Sequence, residues 1–107
     1  MTNDELNRKV ATLQGWKIDD LTGRWIDEDG DGYDEYGWPP DYCADPAMWG
    51  RLFQELAAKN RYVALYAVRN GMVAGVDDAN GRRHNAQSDT PGRALALACL
   101  ASQEARQ

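Results

Sequence analysis

The sequence predicts an α+β fold in which helices pack on a three-stranded antiparallel meander. Apolar residues recur at helical spacing in three segments, and three short strand-like segments separated by turns lie between the second and third of them. A chain of 107 residues, 43% of them apolar, has enough apolar surface for one core. We therefore expect a single domain over residues 1–107, in the order α, an irregular arm, α, β-β-β, α.

The first helix is predicted from about residue 3 to about residue 14. Thr2 stands three residues before Glu5, which is the spacing of an N-terminal capping box. Leu6, Val10 and Leu13 follow at helical spacing, and a glycine comes soon after them. Because glycine adopts the left-handed conformation that ends many helices, we expect the helix to stop there.

An irregular, acidic arm is predicted from about residue 17 to about residue 45. Residues 16–18 and 24–26 flank its first turn, as two short strands or as two extended segments. Residues 27–41, the acidic loop, read DEDGDGYDEYGWPPD. Their glycines and prolines exclude a helix or a long strand, so this segment is predicted to be a long loop.

The second helix is predicted over about 46–59. Asp45 precedes Pro46, which pairs an N-cap residue with the proline that the first helical position tolerates. Apolar residues then follow at positions i, i+3, i+4 and i+7: Trp49, Leu52, Phe53 and Leu56. Such a stripe indicates that one face of the helix packs on the core.

Three strands are predicted over about 61–69, 72–77 and 82–87. Asn70-Gly71 separates the first two, and this dipeptide is typical of a type I′ turn, in which both residues have positive φ. The third strand is polar and charged, which suits the edge of a sheet.

The last helix is predicted over about 91–104. Thr90-Pro91 repeats the pairing of a cap residue with a proline, and residues 94–101 are apolar on every face. We therefore expect other elements to cover this helix on more than one side.

The formal charge of −5 argues against direct nucleic-acid binding, since phosphate contacts need a surplus of Lys and Arg. The charge is uneven: residues 1–60 carry 13 acids and 6 bases, whereas residues 61–107 carry 4 acids and 6 bases. No stretch of 18 apolar residues and no signal-peptide pattern occur, so we expect no membrane association. The two cysteines, Cys43 and Cys99, are expected to be reduced.

The acidic loop begins like a calcium-binding loop. Asp27, Asp29, Asp31 and the following glycine spell D-x-D-x-D-G, in which alternating carboxylates converge on a hard cation. The pattern fails at its twelfth position, where Trp38 stands instead of the bidentate glutamate. We expect no cofactor, with calcium held by these three aspartates as the alternative to an acidic turn in solvent.

The same loop interleaves aromatic residues with six carboxylates between residues 27 and 35. Aromatic residues are enriched in interface cores, and a group of like charges selects an oppositely charged partner. The predicted partner is a host protein with a basic surface, and the alternative is that the aromatic side chains fold inward. The predicted partner-binding residues are Asp29, Asp31, Tyr33, Asp34, Glu35, Tyr36 and Trp38.

The sequence contains no constellation of catalytic residues, so we expect no enzymatic activity. His84 has no nearby nucleophile or carboxylate partner in the sequence and is expected on the solvated surface. Cys43 precedes the second helix, whose N-terminus could lower the thiol pKa, but no base accompanies it.

An RNA-binding domain is a further alternative. The α-β-β-β-α order of residues 46–104 is shared with double-stranded RNA-binding domains. Candidate phosphate contacts are Arg82, Arg83, His84 and Arg93. The lysine cluster that such domains carry at the start of their last helix is absent here, where residues 90–93 read TPGR.

Several motifs together resemble the phage ABA-sandwich domain family, over nearly the whole chain. They are Gly15-Trp16 at the end of the first helix, Trp25-Ile26 before the Gly/Asp turn, residues 40–45 (PDYCAD) before the second helix, and residues 89–95 (DTPGRAL) opening the last one. The resemblance implies an alpha-beta-alpha sandwich and a phage origin, and it supplies no catalytic residue.

The sequence departs from the family pattern in the length and acidity of residues 27–38 and in Cys43, where serine is more usual. The resemblance and the acidic loop together predict a phage-encoded, non-enzymatic binding protein in the cytoplasm of the bacterial host. An inhibitor of a defence system, such as a CRISPR effector complex, is the specific form of this prediction. A calcium-stabilised module and an RNA-binding domain remain the alternatives.

Overall fold

A computed structural model describes residues 1–34, 36–59 and 62–104. The elements are α1 (Asn3–Leu13), β1 (Lys17–Ile18), β2 (Trp25–Ile26), α2 (Pro46–Lys59), β3 (Val63–Val68), β4 (Gly71–Asp77), β5 (Arg83–Ser88) and α3 (Pro91–Glu104). The helices begin and end within one residue of the predicted positions, and the strands within two. The predicted α+β class, with helices packed on a three-stranded antiparallel sheet, is confirmed.

Strands β3, β4 and β5 form an antiparallel meander with β4 in the centre. In the register, Ala74 of β4 lies opposite Leu65 of β3 and Ala86 of β5. The polar strand β5 lies at an edge of the sheet, as its composition indicates. Strands β1 and β2 form a separate antiparallel pair, with Ile18 opposite Trp25, so the first turn of the arm is closed by two short strands.

The hairpin between β3 and β4 lies where it was predicted, but the predicted type I′ turn is wrong. Val68 pairs with Gly71, so the loop residues are Arg69 and Asn70. No described residue other than glycine has a positive φ, which excludes the type I′ geometry at Asn70. Gly71 has φ +144°, and a Cβ there would collide with the carbonyl oxygen of Ser88. Position 71 therefore requires glycine for two reasons: its φ is one that other residues rarely adopt, and β5 lies too close to leave room for a side chain.

Helix α3 lies at the centre of the packing. It contacts β4 and β5 of the sheet, and it also contacts α1 and α2. Ala94, Leu95, Ala98 and Cys99 are fully buried, as expected for a helix that is apolar on every face. The core therefore joins the sheet to the first two helices through the last one.

Each helix is capped by the residue that the sequence indicated. The hydroxyl of Thr2 accepts the N–H of Glu5 at 3.2 Å, a carboxylate oxygen of Asp45 accepts the N–H of Ala47 at 3.0 Å, and the hydroxyl of Thr90 accepts an N–H in the first turn of α3 at 3.3 Å. These bonds satisfy N–H groups that have no partner within the helix. Among the described residues, no helix has both the length and the apolar content needed to cross a membrane.

Candidate functional site

The start of the acidic loop is a tight turn organised by Asp27. One of its carboxylate oxygens, Oδ1, accepts the backbone N–H groups of Asp29 at 2.9 Å and Asp31 at 3.0 Å. Burial acts to raise the pKa of the Asp27 carboxyl, but these backbone hydrogen bonds and the Arg51 guanidinium outweigh burial, so the pKa lies below its usual range. The turn is thus stabilised by an ionised Asp27.

The three aspartates of the calcium-like motif come together, since carboxylate oxygens of Asp27, Asp29 and Asp31 lie within 4.8 Å of one another. Asp27 is nevertheless already occupied: Oδ1 accepts the two backbone bonds, and Oδ2 lies 3.4 Å from Nη1 of Arg51. Calcium takes six to eight oxygen ligands, and a guanidinium beside one of them opposes a cation. The geometry favours an arginine-neutralised turn over a calcium loop.

Arg51, on α2, is a residue that sequence reasoning missed. Its Nε donates to Glu55 Oε1 at 2.7 Å, and its guanidinium lies 5.1 Å from the centre of the Trp16 ring. The other carboxylate oxygen of Glu55 accepts the side-chain amide of Gln14 at 2.7 Å. The i,i+4 spacing of Arg51 and Glu55 was visible in the sequence, but the ion pair with Asp27 joins residues too distant to show a local pattern.

Five of the seven predicted partner-binding residues separate into two groups. Asp29 and Asp31 lie on the turn. Tyr33, Asp34 and Trp38 line a cavity of about 290 Å³ together with the N-terminal part of α1 and residues 39 and 41. We call this the acidic cavity, because its lining holds three aspartates: Asp4, Asp34 and Asp41. Glu35 lies outside the described residues.

The aromatic residues divide between the core and the surface. Tyr42, directly after the acidic loop, is buried, so the inward alternative holds for it. Trp16 and Trp25, which precede the loop, are buried as well. Tyr36 and Trp38 are 81% and 58% exposed, so for these two the predicted outward placement holds.

Tyr33 is intermediate between the buried and the exposed aromatic residues. It packs partly against the core, and its hydroxyl donates to Asp45 Oδ2 at 3.1 Å. Burial is the main cause that raises its pKa above the usual value. Tyr33 therefore presents one part of its ring to the acidic cavity while its hydroxyl is tied to the start of α2.

Asn7 of α1, which sequence reasoning also missed, holds Asp41 in place in the wall of the acidic cavity. It is buried, its Nδ2 donates to Asp41 Oδ1 at 3.0 Å, and its Oδ1 accepts the N–H of Cys43 at 3.1 Å. The pair of bonds holds the segment before α2 against α1. The only signal in the sequence was an asparagine next to the apolar stripe of α1. This signal does not indicate which residues Asn7 binds.

The possible activation of Cys43 by the N-terminus of α2 does not hold, and the expectation that His84 is a solvated residue is wrong. Burial raises the pKa of the Cys43 thiol to about 11, so the nearby helix N-terminus does not activate it. His84 is not a solvated residue without a partner, because its Nε2 lies 2.7 Å from Asp78 Oδ2. That hydrogen bond is the main cause that lowers the pKa of Asp78. Cys43 and Cys99 are both buried, and no disulfide joins them.

The candidate phosphate contacts mostly bind groups of the chain itself. Arg83 lies 3.1 Å from Asp77 Oδ1 and stacks over the Tyr62 ring, with 3.4 Å from its guanidinium carbon to the ring centre. Arg93 donates to the side chain of Asn3 and to the carbonyl oxygen of Met1. With His84 held by Asp78, the side chains of three of these four residues bind other groups in the described part of the chain.

The fold defines the chain as a small α+β protein that carries an acidic, partly aromatic loop. It is similar to a solved structure described as the 2.0 Å crystal structure of a phage protein from Bacillus cereus ATCC 14579. The two share 17% identity and a TM-score of 0.72 over 97% of this chain and 89% of the other. This likeness concerns the fold. No family model and no curated protein matches the sequence.

Proposed function

We propose that this chain is a phage-encoded binding protein without enzymatic activity, which attaches to a basic surface of a host protein through its acidic loop. The observation that supports the proposal is the exposure of Tyr36 and Trp38 on a loop rich in carboxylates. A tyrosine or tryptophan buries about 150–250 Å² when it is covered. Leaving two such rings in water gives up that stabilisation, which a partner would restore.

The charges on the same loop favour a basic partner. Asp29 and Asp31 are exposed and form no ion pair with any described residue. Asp27, by contrast, is neutralised by Arg51. Uncompensated carboxylates at the rim of an interface speed encounter with a basic surface and reject an acidic one. They therefore add specificity to the contact area that the aromatic rings provide.

A CRISPR effector complex is the specific partner class that we propose. Such complexes hold nucleic acid in a positively charged channel, which an acidic, aromatic loop could occupy in place of the phosphate backbone. The fold likeness to a phage protein is in keeping with a phage origin. The chain would then act by blocking the channel, a role that requires binding and no chemistry.

The test compares capture by the wild-type chain with capture by a variant carrying Tyr36→Ala and Trp38→Ala. Tyr66→Ala is the matched control, since Tyr66 is an exposed aromatic residue on β3, outside the loop. Captured host proteins are identified by mass spectrometry, purified and titrated by calorimetry. We expect the loop variant to bind at least about tenfold more weakly and the control to bind like the wild type. Equal binding by all three proteins would reject the proposed surface.

Two further measurements define the partner. Affinity for the purified partner should fall as NaCl rises from 50 to 500 mM, because exposed charge pairs are screened by salt. If the partner is a CRISPR effector, the wild-type chain should prevent it from binding target DNA, and the loop variant should not. An affinity that is independent of salt, or a partner that binds through an acidic surface, would contradict the proposal.

A further inference from the structure

The acidic cavity has the size and the walls of a site for one side chain. Its volume of about 290 Å³ lies just below the range of about 300–1,000 Å³ that is usual for drug-sized ligands. Trp38 and Pro39 provide apolar surface, and Tyr33 provides part of a second ring. Trp38 is 58% exposed, so its ring is available to a guest.

The polar part of the lining is anionic. Asp4, Asp34 and Asp41 contribute three carboxylates, and no lysine, arginine or histidine is among the lining residues. Asp34 uses Oδ1 to accept the N–H of Tyr36 at 2.6 Å, and Asp41 uses Oδ1 to accept the Asn7 amide. In the described part of the chain, no donor binds Oδ2 of either residue. Two oriented carboxylates thus each keep an acceptor oxygen for a guest.

Three arginines lie near the cavity, but each is held by other groups. Arg8 pairs with Asp4 at 2.8 Å, Arg24 donates to the backbone carbonyl of Asp34 at 3.2 Å, and Arg93 is held by Asn3 and Met1. The start of α1 also contributes about half a positive charge. Arg8 offsets Asp4. Arg24 and Arg93 bind uncharged acceptors and keep their charges, so the attraction of a cationic guest depends on its direct contact with the carboxylates of Asp34 and Asp41.

We infer that the acidic cavity binds an arginine side chain of the partner protein, with its guanidinium at Asp34 and Asp41 and its stem against Trp38. This inference rests on the proposed function, because it assigns one contact of that interface. A guanidinium stacks on aromatic rings and donates in a planar fork to carboxylates, whereas an ammonium group has no planar face. An aromatic wall beside carboxylates therefore favours arginine over lysine.

The experiment is an NMR titration of the ¹⁵N-labelled full chain with a blocked tripeptide, acetyl-Gly-Arg-Gly-amide. Matched peptides carry lysine, or citrulline as the neutral isostere of arginine. We expect the arginine peptide to shift the Trp38 indole signal and the amide signals of residues 33–41. It should bind at least about threefold more tightly than the lysine peptide. The citrulline peptide should cause no saturable shift.

Two variants assign the effect to the cavity. Trp38→Ala and Asp34→Asn should each weaken binding of the arginine peptide by about threefold or more. Asn at position 34 keeps an oxygen for the Tyr36 N–H, so the loop should fold normally. Asp20→Asn is the control, since Asp20 is an exposed carboxylate outside the cavity. The affinity of this control variant for the arginine peptide should equal that of the wild type.

The outcomes separate this inference from the proposed function. If the arginine and citrulline peptides behave alike, or if Asp34→Asn has no effect, the inferred arginine site is wrong. Capture of a basic partner that depends on Tyr36 and Trp38 could still hold in that case. If the arginine peptide binds as expected but no partner responds to the loop variant, the site exists and the proposed interface is wrong.

Discussion

Asn7 shows how much of the loop geometry depends on one side chain. It is buried in α1 and binds both the carboxylate of Asp41 and the backbone N–H of Cys43. A buried N–H that loses its acceptor costs more than the average hydrogen bond contributes, because the group has already lost its water. The wall of the acidic cavity therefore depends on an uncharged residue of the neighbouring helix.

We expect Asn7→Ala to lower the free energy of unfolding by about 1–3 kcal/mol, because the N–H of Cys43 remains buried without its partner. Lys9→Ala, at an exposed position of the same helix, should change it by less than about 0.5 kcal/mol. Urea unfolding followed by tryptophan fluorescence measures both. Equal stabilities of the two variants would show that the Asn7 bonds contribute nothing.

The lowered pKa of Asp78 predicts how the stability of the fold depends on pH. The hydrogen bond from His84 lowers the pKa of Asp78 below its ordinary value of 3.8. A carboxyl whose pKa is lower in the folded state stabilises the fold above its unfolded pKa, and this stabilisation is lost as pH falls through the folded pKa. The urea midpoint should therefore decrease below about pH 4.

The variant Asp78→Asn isolates this contribution. It keeps an oxygen for the N–H groups of Asn80 and Arg82, which Asp78 Oδ1 accepts at 2.8 and 3.0 Å. It has no charge to lose, so its urea midpoint should decrease less between pH 5 and pH 3. Asp20→Asn, at an exposed position, should follow the wild type. Parallel curves for all three proteins would assign the acid sensitivity to other groups.

At the scale of elements, α3 lies close to the segment before α2 because a glycine stands at the contact. Gly92, in the first turn of α3, meets the segment before α2: a Cβ at this position would clash with the carbonyl oxygen of Tyr42 and lie 2.6 Å from that of Cys43. Both obstacles are backbone atoms that cannot rotate away. Gly50 of α2 is the opposite case, since a Cβ there would meet nothing within 4 Å.

We expect Gly92→Ala and Gly50→Ala to have opposite effects on stability. Alanine at position 50 should raise the free energy of unfolding by about 0.5–1 kcal/mol, because glycine is the poorer helix former. Alanine at position 92 should lower it by about 1–3 kcal/mol, because the collision outweighs the gain in helix propensity. Thermal and urea unfolding measure both. A stabilising Gly92→Ala would show that α3 can shift away without loss.

For the molecule as a whole, sequence patterns predicted those features that depend on interactions between residues close together in the chain. Caps, helical spacing and turn residues placed all three helices and the meander, because these features act over a few residues. The pairings that shape the candidate site were not predictable in the same way. Asp27 with Arg51 and Asn7 with Cys43 join residues 24 and 36 positions apart, and no periodicity encodes them.

The acidic loop illustrates the same limit. Composition alone singled out its carboxylates and aromatic rings, and two of those rings do point into solvent. Composition could not show that Asp27 is neutralised by Arg51 or that Asp34 faces a cavity completed by α1. Each of these facts depends on how α1 and α2 approach the loop, which is decided by packing against α3.

The central position of α3 bears on how the domain forms during translation. Among the described elements this helix comes last in chain order, yet the sheet and both other helices pack on it. Ribosomes add about 5–20 residues per second, and a partly made chain exposes the apolar surface that its missing partner would cover. We therefore expect α1, α2 and the meander to remain without a closed core until α3 has left the exit tunnel, so that assembly occurs in one late step.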